Sequence, residues 1–243
     1  MITPRIPTPP FSPPFFPAAL RSILSDEIAR GGDSTPDALR IRIAITASAL
    51  AAGKDVVALA AARDAASSHP NSPTAQYYLS RALLRDGARD AAKAALERAA
   101  VAFDSANHDC DSTDADAHWS VSAAKVSLRG IASATAASAR AADAYERGNF
   151  ADAAVAYSLA VRALESATRD DKHGRAAAHA NVAACLRRAR KPVEAVEACD
   201  AALRLLPRFA RALLRRAVCL LEAGKPSEAV RAFEDLCVAA FAF

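Results

Sequence analysis

The chain has 243 residues, a formal net charge of +4 and 52% apolar residues, with only 6% aromatics, 8 glycines and 13 prolines. No apolar run approaches the ~20 residues of a membrane-spanning helix, and no Val/Ile/Thr-rich alternation reads as a strand. The charge excess sits in the second half: residues 1–138 carry 14 basic and 14 acidic side chains, residues 139–243 carry 17 and 13.

Residues 1–16 hold six of the 13 prolines and are expected to be extended or disordered. The FSPPFFPAAL segment is broken by proline, so it is neither a signal-peptide core nor a membrane helix. The absence of acidic groups before Asp26 leaves organelle targeting open, although a cytoplasmic location is the primary expectation. Residues 17–30 predict an amphipathic helix closed by Gly31-Gly32. Two helical hairpins follow at about 39–72 and 73–106. An Asp-, Ser- and Asn-rich stretch, 107–118, reads as a solvated acidic linker, and Trp119 opens a helix running to about Arg147 with only Gly130 against it. Three more hairpins are expected at about 134–167, 176–209 and 210–243. The predicted organisation is therefore a 1–16 tail, a 17–106 helix plus hairpin pair, a 107–118 linker, and a 119–243 long helix with three hairpins.

The hairpins are read from a recurring pattern. Five turn sequences begin Gly53-Lys54, Gly87-Ala88, Gly148-Asn149, Arg190-Lys191 and Gly224-Lys225. Each precedes an anchor alanine: Ala58, Ala92, Ala153, Ala195 and Ala229, spaced by 34, 61, 42 and 34 residues. The 61 is a 34-residue period plus a 27-residue insertion, and the 42 hides an eight-residue loop extension around Thr168–Arg175. A fixed period of this size means stacked helical hairpins. Glycine tolerates the left-handed residue that ends the first helix. The alanine sits where two helix axes approach, and larger groups at i+4 (Leu96, Tyr157, Phe233) complete one helical face. Pro70 and Pro207 stop the second helices.

This is the tetratricopeptide repeat pattern, which the chain resembles over roughly residues 37–243. The resemblance implies an all-α, right-handed superhelical array of five hairpins acting as a protein-interaction adaptor. The last hairpin ends on the apolar LCVAAFAF instead of a polar cap, so a continuation of the array or docking of this end on a partner is expected.

The five cysteines form no CxxC or Cys/His cluster; four lie on apolar helical faces and read as buried free thiols in a reducing compartment. His108, Cys110 and His118 are a zinc alternative without a fourth ligand, so neither metal nor cofactor is expected. No GxSxG, GxxxxGK[ST], HExxH or GxGxxG motif is present, which argues against an enzyme. A net charge this mild, without aromatics interleaved among the basic residues, argues against nucleic acid.

The ligand face is expected on the first helix of each hairpin. Asn181 stands fourteen residues before Ala195 and Arg215 fourteen before Ala229, so they occupy equivalent positions, with Arg211 one turn earlier on Arg215's face. Between Asp200 and Glu222 there are five arginines and no acid, which predicts unpaired guanidinium groups for carboxylates. The run from Ala178 to Leu236 resembles the repeats of co-chaperones that grip acidic C-terminal tails of heat-shock chaperones with a carboxylate clamp. By that resemblance Asn181 matches the second-repeat Asn, Arg215 the third-repeat Arg, and Arg211 keeps the charge of the third-repeat Lys. The first-repeat positions fall on Ser138 and Ala142, which do not match. The layout of a hairpin pair, long helix and loop-extended set also resembles J-domain co-chaperones carrying such arrays. A chaperone tail is the partner these resemblances imply; a scaffold for a different protein complex is the alternative. Tyr77 and Tyr78 could contact a peptide, with core packing the plainer reading.

Overall fold

A computed structural model describes residues 17–33, 35–106 and 115–241. The expectation for residues 1–16 therefore falls outside the described residues, as do residues 242–243 and the side chain of Phe241 at the apolar end. Among the described residues there are eleven α-helices and no strand. They are α1 (Pro17–Gly31), α2 (Pro36–Ala51), α3 (Asp55–Ser68), α4 (Pro73–Asp86), α5 (Arg89–Ala106), α6 (Ala115–Glu146), α7 (Phe150–Ala167), α8 (Lys172–Arg188), α9 (Pro192–Leu205), α10 (Ala210–Glu222) and α11 (Pro226–Phe241). None of them is long and apolar enough to cross a membrane.

The five hairpin turns share one hydrogen-bond geometry. The backbone amides of Lys54, Ala88, Asn149, Lys191 and Lys225 donate to the carbonyls of Ala49, Leu83, Ala144, Leu186 and Leu220 at 2.9–3.0 Å. The residue before each amide is left-handed: Gly53 (φ 70°), Gly87 (89°), Gly148 (79°), Arg190 (63°) and Gly224 (75°). This is the Schellman closure, which satisfies the last carbonyls of a helix while turning the chain back. Only the fourth turn does so without glycine. All five anchor alanines are 0% exposed, because each methyl group lies in the crossing of its own hairpin.

The structure forms two compact units, Met1–Arg129 and Gly130–Phe243, with the division falling inside α6. Residues 107–114 of the expected 107–118 linker lie outside the described residues. Residues 115–118 are already helical, and the front of α6 packs on α4: the Ser120 hydroxyl donates to Thr74 Oγ1 at 3.1 Å, and Trp119 meets Tyr77 edge to face at 5.1 Å. Tyr77 and Tyr78 are buried in that packing, with Arg81 over both rings, so they belong to the core. The first unit is also pinned by Arg42, buried on α2, which donates to Asp64 at 2.7 Å, to the Asp33 carbonyl at 2.9 Å and to the Asp33 carboxylate. Burial is the largest effect on the Arg42 guanidinium and lowers its pKa, but the two carboxylates together outweigh it and leave it raised.

In the second unit, Ala134 and Ala137 of α6 pack on Ala160 and Leu164 of α7. Gly130 is there for the same close approach. A Cβ built on it would stand 2.0 Å from Ala167 Cβ and 3.2 Å from the Ala163 carbonyl oxygen. The extension at 168–175 is only partly loop. Asp171, 1% exposed, accepts from the Gly174 amide at 2.7 Å, and this N-cap starts α8 at Lys172, adding a helical turn before the repeat proper. Of the described cysteines, Cys185, Cys199 and Cys219 are buried as expected, but Cys237 on α11 is exposed. His108 and Cys110 lie outside the described residues.

Candidate functional site

The second unit has a defined inner layer. Among the described residues the first helices α8 and α10 touch each other, whereas no extended contact joins the second helices α7 and α9, or α9 and α11. First helices crowded together and second helices splayed apart place α8 and α10 on the inside of the unit's curve. The register of the repeat then fixes which side chains face inward.

Asn181 and Arg215, 34 residues apart, meet on this layer. Arg215 Nη1 donates to the Ala180 carbonyl at 2.5 Å and to Asn181 Oδ1 at 3.3 Å. Both side chains are half-buried. Burial holds the Arg215 guanidinium below its ordinary pKa, and the neighbouring Arg211 cation lowers it further. Among the described residues no carboxylate bonds Arg215, and the exposed Arg211 makes no ion pair. A half-buried cation satisfied only by a carbonyl and an amide oxygen, with a second cation beside it, is a place of unmet positive charge.

The arginine run as a whole is less free than its composition predicts. Arg216 donates to Asp200 at 2.6 Å, and Arg187 of α8 pairs with Glu222 at 2.9 Å. The acids that bracket the run in sequence thus engage arginines across the helix interfaces, and this corrects the expectation of uniformly unpaired groups. Ser138 and Ala142 are half-buried on α6 and offer no charge.

Several neighbours surround the pair of Asn181 and Arg215. Tyr145 of α6 and Tyr157 of α7 pack against the cluster formed by Ala144, Ala153, Ala154 and Cys185. Both tyrosines lie close enough to the guanidinium to interact with it electrostatically. Burial raises the Tyr157 phenol. Cys185 and Cys219 follow Asn181 and Arg215 by one turn on their helices, and burial pushes the Cys185 thiol up to about 11. The Cys199 thiol is also pushed up, by its hydrogen bond with Cys219 and by burial. On α10, Leu214 and Leu221 are 47% and 50% exposed beside Arg211 and Arg215. The register already marks these positions, since Tyr145 and Leu221 each stand eight residues before an anchor alanine.

Comparison with known proteins places this geometry. Residues 186–236 match the tetratricopeptide repeat family. No curated protein matches the chain. Among solved structures, the P58(IPK) TPR domain superposes with a TM-score of 0.55 at 17% identity, over 90% of this chain and 59% of that one. The Cut9 APC/C hetero-tetramer with Hcn1 superposes with a TM-score of 0.51 at 15% identity, over 93% of this chain and 44% of that one. The chain therefore spans about three fifths and under half the length of these two structures. The TPR2AB-domain:pHSP90 complex of yeast Sti1 also aligns, at 14% identity over 91% of this chain and 83% of that one, but its TM-score is only 0.39. The fold is thus the tetratricopeptide type of all-α hairpin array.

Proposed function

We propose that the second unit is an adaptor that captures an extended acidic peptide on the inner faces of α8 and α10, with Arg211, Arg215 and Asn181 as its binding residues. One observation carries this reading: the Arg215 guanidinium is half-buried, lowered in pKa by burial and by Arg211, and has no carboxylate partner among the described residues. A ligand carboxylate would supply the missing negative charge, and Asn181 holds the guanidinium in place to receive it. Charge-assisted hydrogen bonds of this kind contribute roughly 1.5–3 kcal/mol each. The cationic face sets orientation and association rate. The clamp resemblance makes the acidic C-terminal tail of a heat-shock chaperone the first peptide to test, and the layout makes a J-domain co-chaperone the first context. Without cationic or amide groups at Ser138 and Ala142, binding is weaker than in proteins with a complete clamp.

The test is a titration of an acidic tail peptide against the wild-type chain and Arg215→Ala, read by fluorescence anisotropy. Loss of one charge-assisted contact weakens binding by about tenfold or more. Equal affinity for the two proteins, or no binding to either, refutes the proposal.

A further inference from the structure

The inner face of α10 holds more than its two arginines. At 100° per residue, Arg211, Leu214, Arg215, Val218, Leu221 and Glu222 share one third of the helix surface, opposite the buried Ala212, Leu213, Ala217, Cys219 and Leu220. The two cations lie in the first half of this stripe, Leu214, Val218 and Leu221 run beside and beyond them, and Glu222 closes it. Leu214 is 47% exposed, Leu221 is 50% exposed and Val218 between them is half-buried. Glu222, the only acid on the stripe, is already neutralised by Arg187 at 2.9 Å. The corresponding face of α6 in this unit, through Thr135, Ser138, Ala139, Ala142 and Tyr145, carries no cation at all. Arg188, at the end of α8, is exposed and solvated.

From this arrangement we infer that the ligand is an internal acidic-then-apolar segment of another protein, read without its free C-terminus. This rests on the peptide-binding reading above and adds the ligand's pattern to it. One acidic side chain meets the Arg211–Arg215 pair, and apolar side chains of the same segment lie on Leu214, Val218 and Leu221. The rise of 1.5 Å per residue puts Leu221 about 9 Å beyond Arg215 along α10. An extended chain covers that in about three residues. A terminal carboxylate finds no buried cation, because α6 offers none and an exposed arginine such as Arg188 contributes little.

The experiment uses the full chain and a synthetic peptide, acetylated and with a fluorophore at its N-terminus, in which two glutamates precede two leucines spaced by one residue. It is made with an amidated C-terminus, with a free C-terminus, and with both leucines replaced by serine. Amidated and free-acid forms are expected to bind within about twofold of each other. The exposed-site variant Leu221→Ser with the leucine peptide is expected to bind about five- to tenfold more weakly, which corresponds to half a leucine side chain left in water, and the serine peptide, which loses two such contacts, at least about tenfold more weakly. Arg188→Ala is expected to change nothing. If amidation costs tenfold, if Arg188→Ala weakens binding by that much, or if the serine peptide binds as well as the leucine peptide, the inference fails while the acidic-peptide reading stands. If Arg215→Ala binds every peptide as well as wild type does, or if none of them binds, both fail. Leu221 is half-exposed, so unchanged thermal unfolding of Leu221→Ser separates a contact effect from loss of fold.

Discussion

Replacing Gly130 by alanine tests the claim that close helix approach, not helix propensity, governs the packing of the second unit. In an isolated helix the change stabilises by about 0.8–1 kcal/mol. Here the added methyl would stand 2.0 Å from Ala167 Cβ and 3.2 Å from the Ala163 carbonyl oxygen. Carbon atoms in contact sit about 3.5–4.0 Å apart, so α6 and α7 must separate locally by about 1.5–2 Å. That shift disturbs the Ala134, Ala137, Ala160 and Leu164 contacts along the same crossing. Overpacking of a tight site costs about 1–3 kcal/mol, and with backbone on one side of the clash the upper part of that range applies. The expected net loss is about 1–2 kcal/mol, or a fall in Tm of roughly 2–8 °C for a chain of this size. Thermal unfolding by circular dichroism, with a urea titration for the free energy, measures it. The double variant Gly130→Ala/Ala167→Gly removes the colliding methyl and should recover at least about 1 kcal/mol of coupling in a double-mutant cycle. A more stable Gly130→Ala, or additive single effects, would refute the reasoning.

Other outcomes follow from the same structure. Arg190→Gly should stabilise the chain by about 0.5–1 kcal/mol, because Arg190 holds φ 63° at a cost of about 1–2 kcal/mol. Added flexibility of the unfolded chain offsets part of that gain; a lower urea midpoint for the variant would contradict it. Burial depresses the His179 pKa from 6.5, with Glu165 at 3.9 Å opposing and Arg175 and Arg204 adding to the shift. The folded state therefore favours neutral His179, so its contribution is complete above pH 6.5 and is lost as pH falls from there toward the folded value. The fall in Tm between about pH 7 and 5 should be shallower in His179→Gln, and parallel curves would dismiss the effect. Cys185, Cys199 and Cys219 should resist iodoacetamide at pH 8 until denaturant is added, while the exposed Cys237 is alkylated at once. Peptide mass spectrometry reads this directly, and rapid native labelling of Cys199 would show that the α9–α10 interface opens readily.

The five hairpins could be read from the chain alone because their determinants are local. A left-handed turn residue, an alanine five positions on and an apolar group one helical turn later act within a few residues of each other, and all five anchors are fully buried. Even the substitution of Arg190 for glycine left the turn readable, since the register around it held. The equivalence of Asn181 and Arg215 also followed from register, although the hydrogen bond between them depends on how closely α8 and α10 pack. What the one-dimensional pattern could not supply was partnership across helices. Asp200 reaches Arg216, Glu222 reaches Arg187, and Gly130 is required by α7 rather than by its own helix. Likewise, Cys237 lies on an apolar stripe yet meets solvent, because burial depends on whether a neighbouring helix covers that face. Periodicity tells which side chains share a face; only packing decides what that face meets, and there the charge of the site is set.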